Sequence, residues 1–182
     1  MVVTNYRNLY NLAQIKKNHG MSPKNKYYHL ANGLNFRMTN LQAAIGLAQM
    51  EQINKIINKK KILSEKYIKL LTKNKYIEYQ YTNQKDVNSY WLFVIKLKDN
   101  LSKYKNELIK TFNKKNYDVR RIFYSLDEMP VKYFYKKYLK ELKNSKALSK
   151  TCIALPSYPS LQIKEVDNIA KILLQFIKSK KL

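Results

Sequence analysis

The sequence is poor in the residues that bend, cross-link or ligate. Its 182 residues include only 3 glycines and 4 prolines, too few for long flexible linkers. The single cysteine, Cys152, excludes an internal disulfide. His19 and His29 are the only histidines, and they stand well apart, so no zinc-type ligand cluster is visible. Acidic residues number 12 against 36 Lys plus Arg, a formal charge of +24. No apolar run approaches the roughly 18 residues that span a bilayer. The start, "MVVTNYRNLY", lacks the basic stretch and apolar segment of a secretory signal. The expectation is a cytoplasmic protein with no membrane partner.

A charge of +24 raises nucleic-acid binding as a function class. The identity of the cations argues against a specific binder. Base-reading and phosphate-clamping proteins lean on the bidentate arginine fork, and arginine occurs here only at Arg7, Arg37, Arg120 and Arg121. The lysines are spread along the chain and accompany many Asn, Ile and Tyr, a pattern of AT-rich codon usage. What remains is salt-sensitive attraction to polyanions in general.

The length suits one domain or one and a half, and a hydrophobic share of 45% is ordinary for a globular core. "MVVTN" reads as a β-branched strand that needs neighbours. "YRNLYNLAQIKKNHG" reads as a helix, with Leu9, Leu12 and Ile15 in step and Gly20 as its stop. "MSPKNKYYHLANGLNFR" has no period and reads as a loop. Thr39 and Gln42 fit a capping box. The apolar face that follows, from Leu41 to Leu71, predicts one long helix. Gly46 inside it costs about 1 kcal/mol relative to Ala. With Ala43, Ala44 and Ala48 it offers a smooth surface, either for packing within a domain or for a subunit contact.

A polar stretch, "TNQKDVNS", suggests a boundary, giving domains 1–85 and 86–182. Beyond it, "YWLFVIKL" reads as a strand, "LSKYKNELIKTFNKKN" as a helix and "YDVRRIFYSL" as a second strand. "VKYFYKKYLKELKNSKALSK" reads as a helix, "CIALP" as a strand, and "PSLQIKEVDNIAKILLQFIKSKK" as a final amphipathic helix with Glu165 in its first turn. The expected class is α/β.

From the residues alone, chemistry is sparse. There is no HExxH, no CxxC and no phosphate loop; "GLNFR" lacks the required glycine density. On that footing Asn35 is a turn residue and Arg37 a surface cation. Longer stretches carry more. "HGMSPKNKYYHLANGLNFRMTNLQAAIGLAQME", "VRRIFYSLDEMP" and "ALSKTCIALPSYPSLQIKEVDNI" together resemble the DegT/DnrJ/EryC1/StrS family of pyridoxal-phosphate-dependent sugar aminotransferases. The likeness is to its perosamine synthase branch, and it covers essentially the whole chain in order.

The resemblance implies the C-terminal part of an aspartate-aminotransferase-like fold: the end of the cofactor-binding large domain, a long connecting helix and a small α/β domain. It implies pyridoxal 5'-phosphate as cofactor, with glutamate and a keto-sugar nucleotide as substrates. It also implies either a homodimer or a complementary N-terminal half as partner. Asn35 and Arg37 match cofactor-phosphate contacts. Tyr27, Tyr28 and His29 match a loop beside the sugar-nucleotide site, and Arg120 and Tyr124 match candidate substrate contacts. From the residues alone, aromatic packing accounts for the first three and a structural role for the last two. The family's catalytic lysine lies upstream of the stretch that "MVVTN" matches, and none of the lysines here occupies its motif position. The resemblance therefore implies no catalysis by this chain alone, because the lysine serves both as covalent anchor and as proton-moving base. It also leaves open a non-enzymatic relic or binding protein. Four positions depart from the family pattern: Arg121 and Ser125 replace prolines, Asp127 replaces a histidine and Cys152 replaces a glycine.

Overall fold

The computed structural model describes residues 2–83, 85–129 and 142–180, with Asp99 described by its backbone only. The chain divides into two compact units, Met1–Gln52 and Ile53–Leu182. The sequence boundary expected near residue 85 falls inside the second unit.

The first unit holds two helices, α1 (Arg7–Lys17) and α2 (Asn40–Glu51). The capping box at the start of α2 is complete. Thr39 Oγ1 accepts from the Gln42 N–H at 3.2 Å, and Gln42 Oε1 accepts from the Thr39 N–H at 2.9 Å. Two free N–H groups of the helix start are thereby satisfied. Neither helix buries a residue. Leu41 is 72% exposed and Ile45 59%. A methyl group placed on Gly46 would meet nothing within 4 Å. The small-residue surface of α2 therefore has no partner among the described residues.

Two expectations are corrected in this region. Residues 2–5 form no strand, because no described strand lies beside them to complete a ladder. The long helix is also interrupted. Gln52 leaves helical geometry at φ −103°, ψ 3°, and a separate helix, α3 (Ile53–Leu71), begins after it. Core burial anchors α3 from Leu63 onward, whereas α2 has no packing to hold the register across the break.

The second unit is a four-stranded antiparallel sheet of order β1-β2-β4-β3. Its strands are β1 (Ile77–Tyr79), β2 (Phe93–Leu97), β3 (Arg120–Arg121) and β4 (Cys152–Leu155). Its helices after α3 are α4 (Lys105–Asn113), α5 (Lys143–Thr151) and α6 (Ile163–Ser179). The segment 130–141, expected as part of a helix, lies outside the described residues. The expected strand "YDVRRIFYSL" shrinks to the two residues of β3, which among the described residues pair with β4 alone, at the sheet edge. β1 was not foreseen.

Alternation along the strands sorts the side chains. Phe93, Ile95 and Leu97 of β2 and Ile153 and Leu155 of β4 turn to one face. There α3 contributes Leu63, Tyr67 and Leu71, and α6 contributes Val166, Ile169, Ala170, Leu173, Phe176 and Ile177. These recur at three- and four-residue spacing, the signature of a single buried helical stripe. Each buried Leu, Ile or Phe contributes about 1.5–3 kcal/mol.

Tyr67 ties the core to the chain beyond β4. Its ring stacks on Phe93 at 4.8 Å, and its hydroxyl donates to the Pro156 carbonyl at 3.0 Å. Burial pushes the Tyr67 hydroxyl far above the ordinary tyrosine value, so it remains a donor. Tyr67→Phe preserves the stack but leaves the Pro156 carbonyl unpaired. We expect it to lower unfolding free energy by about 1–2 kcal/mol, read from urea denaturation of the two proteins.

Candidate functional site

In the first unit a latch forms where α1 ends. The last carbonyls of a helix lack intrahelical partners, and the following loop returns to fill them. The Leu34 N–H donates to the Lys16 carbonyl at 2.9 Å, and the Phe36 N–H to the Lys17 carbonyl at 2.9 Å. The His19 N–H donates to the Leu34 carbonyl at 3.1 Å, and the Leu30 N–H to the Gly20 carbonyl at 2.7 Å. The backbones approach so closely that side chains would not fit. A Cβ on Gly20, which sits at φ +69°, would overlap the Ala31 carbonyl. A Cβ on Gly33 would lie 2.6 Å from the Lys16 carbonyl oxygen and also overlap the Gly20 nitrogen.

This latch places three of the expected site residues together. Asn35 forms an isolated bridge with Asn18, and its Oδ1 accepts from the Arg37 N–H at 3.3 Å. The Arg37 guanidinium donates to Asn18 Oδ1 at 3.4 Å. His29 bridges to Met21, and its Nδ1 lies 2.7 Å from the His19 carbonyl. Tyr27, at φ +62°, and Tyr28 are both exposed at the loop tip. Aromatic packing, the reading from residues alone, does not describe either tyrosine among the described residues.

Arg120 and Tyr124 belong to the second unit and border different cavities. The first cavity, about 410 Å3, is walled by Lys60, Trp91, Tyr117, Arg120 and Tyr158. The Lys60 ammonium donates to the carbonyls of Trp91 at 3.1 Å and Ser157 at 2.8 Å, and burial holds its pKa below the ordinary lysine value. The Tyr117 hydroxyl donates to Glu165 Oε2 at 2.5 Å, and this bond raises the tyrosine pKa. Arg120 is already occupied: its guanidinium donates through Nε and a terminal nitrogen to Asp118. Tyr124 borders the second cavity, beside Lys105 and Arg121.

The matches to known proteins now bear on these residues. A family model matches residues 1–174. The chain belongs to the DegT/DnrJ/EryC1/StrS aminotransferase family. It is similar to a GDP-perosamine synthase of Escherichia coli O157:H7, 31% identical over 180 residues, covering 99% of this chain and 48% of that protein. It is also similar to a GDP-perosamine synthase of Vibrio cholerae, 33% identical over 175 residues, covering 94% and 47%. Among solved structures, Helicobacter pylori PseC, an aminotransferase involved in pseudoaminic acid biosynthesis, superposes with a TM-score of 0.85 at 23% identity, covering 97% of this chain and 48% of that one. That likeness concerns the fold, which is part of the pyridoxal-phosphate-dependent aminotransferase architecture. The chain spans about half the length of the curated relatives it matches.

Aminotransferases of the DegT family depend on pyridoxal phosphate. The residues here suit one end of that molecule. The Asn35 amide nitrogen and the remaining Arg37 donors fit a phosphate.

Ser125, Asp127 and Lys146 form a bonded group after β3. Asp127 accepts from the Ser125 hydroxyl at 2.5 Å and pairs with the Lys146 ammonium at 2.9 Å. The Leu142 N–H also points to it at 3.4 Å. The Ser125 hydroxyl, then Lys146, hold the Asp127 carboxyl down to about 2. Cys152 is buried in β4, and burial raises its thiol pKa.

The unfolded value for Asp is about 3.9, so Asp127 stabilises the fold above about pH 4 and loses that contribution as pH falls toward 2. We expect Asp127→Asn to be less stable than the parent at pH 6 and the gap to close near pH 2, measured by urea denaturation. Gly33→Ala should open the latch. Amide resonances of Leu34, Phe36 and Arg37 should shift while those of α6 stay in place, read by two-dimensional NMR.

Proposed function

We propose that this chain is the C-terminal portion of a pyridoxal-phosphate-dependent nucleotide-sugar aminotransferase. In this reading the complete enzyme moves an amino group from glutamate to a keto-sugar nucleotide, in the manner of a perosamine synthase, for surface polysaccharide synthesis. A complementary N-terminal portion supplies the catalytic lysine and the ring-binding segments. This chain supplies Asn35 and Arg37 to the cofactor phosphate. Tyr27, Tyr28 and His29 border the sugar nucleotide. Arg120 and Tyr124 act at the substrate from the small domain, which for Arg120 means sharing its guanidinium with Asp118.

One observation carries the reading. Residues 2–52 expose apolar side chains that include Val3, Leu34, Phe36, Leu41, Leu47 and Met50, and Gly20 is the only buried residue among them. A segment of this composition is built to be covered. The relatives have about as much chain again beyond the matched part.

The coding sequence upstream of Met1 provides the test. Expressed with this chain and pyridoxal phosphate, it should co-purify and develop the visible band of a lysine-bound cofactor. Asn35→Ala and Arg37→Ala should each weaken cofactor affinity roughly tenfold, the scale of one charge-assisted hydrogen bond. An upstream sequence without a complementary half, or a mixture that never develops the band, contradicts the proposal.

A further inference from the structure

β3 is two arginines on an edge strand, and a strand sends successive side chains to opposite faces. Arg120 turns to the first cavity and is neutralised there by Asp118. Arg121 turns to the second cavity, of about 450 Å3, between α4, β3 and α5. There its guanidinium donates to a neutral amide, Asn106 Oδ1, at 2.9 Å. Lys103, Lys105 and Lys150 line the same space, against one carboxylate, Glu128, among the described residues.

Lys105 makes this cluster more than surface charge. It is only 7% exposed, although lysine is almost never buried without a charged partner. Among the described residues its ammonium donates only to the Ser149 carbonyl, at 2.5 Å. An ammonium has three donors. Burial first, and the neighbouring Arg121 second, hold its pKa below the ordinary lysine value. Codon drift scatters lysines over solvated surface, whereas this one is held inside beside a second cation.

We propose that the cavity framed by α4, β3 and α5 binds a compact phosphate-bearing anion through Lys103, Lys105, Arg121 and Lys150. The anion supplies acceptors beyond the Ser149 carbonyl and the Asn106 amide, the only ones Lys105 and Arg121 have among the described residues, and neutralises four cations gathered around one space. The inference uses neither the latch nor the first cavity, but Tyr124, which the proposed function places at the substrate, lines the same space.

The test is titration of the full chain with inorganic pyrophosphate at physiological ionic strength, followed by calorimetry and by amide resonances. We expect one saturable site, with shifts at Asn106, Arg121 and Ser149. Arg121→Gln, at an exposed position, should weaken binding roughly tenfold or more, and Lys103→Gln less. Lys69→Gln, on α3, should leave it unchanged. Because Lys105→Met risks the fold, it is not required. A parallel titration with ADP separates a nucleotide from a bare diphosphate, and tighter binding of either through Arg121 supports the site. Non-saturating binding, or equal loss in the Arg121 and Lys69 variants, would reduce the effect to the overall charge and overturn the proposal.

Discussion

The apolar faces of α3 and α6 lie over β2 and β4, and the rest of the second unit depends on that burial. Leu63, Tyr67 and Leu71 meet Phe93, Ile95 and Ile153 in one cluster. Once these are fixed, Tyr67 reaches Pro156, and Lys60 reaches Ser157 and Trp91. Those bonds set the rim of the first cavity. The β4 register then fixes β3, which sends Arg120 and Arg121 to opposite sides. Two cavities of different character follow from a single edge strand.

The first unit obeys the opposite constraint. Its order comes from backbone hydrogen bonds: the latch at the end of α1, the paired close approach at Gly20 and Gly33, and the capping box before α2. None of these removes much apolar surface from water, and hydrophobic burial is the dominant favourable term in folding. A helix with no buried residue has little tertiary support. The chain belongs to the DegT aminotransferase family and spans about half the length of the relatives it matches. In the proposed complete enzyme, the cover for this surface comes from the other half.

The sequence was legible wherever a local rule decided the outcome. The Thr39 and Gln42 side chains can only serve a helix start, and β2 alternates strictly between core and rim. α6 carries a continuous apolar stripe. Legibility failed where tertiary context decided. "MVVTN" has strand composition, yet no described strand pairs with it. The apolar face from Leu41 to Leu71 continues through Gln52, and only the confinement of burial to α3 reveals the break. β1 alternates Ile77, Glu78, Tyr79, with Glu78 held by Lys96 and Lys98, but three residues are too short a period to set apart from a loop. At the sites, the family pattern singled out Asn35 and Arg37, and the structure joins them to Asn18. It gave no hint of Lys60 or Lys105, because one buried lysine cannot be told from its solvated neighbours in a chain so rich in them.

The central claim is that residues 53–180 hold a core of their own while residues 2–52 await a cover. Native-state hydrogen exchange of the isolated chain tests it directly. The account predicts slow exchange in α3, β2, β4 and α6, and exchange faster by orders of magnitude in α1 and α2. Equal protection across both units would contradict it, because it would mean that the first unit already has the burial this structure does not give it.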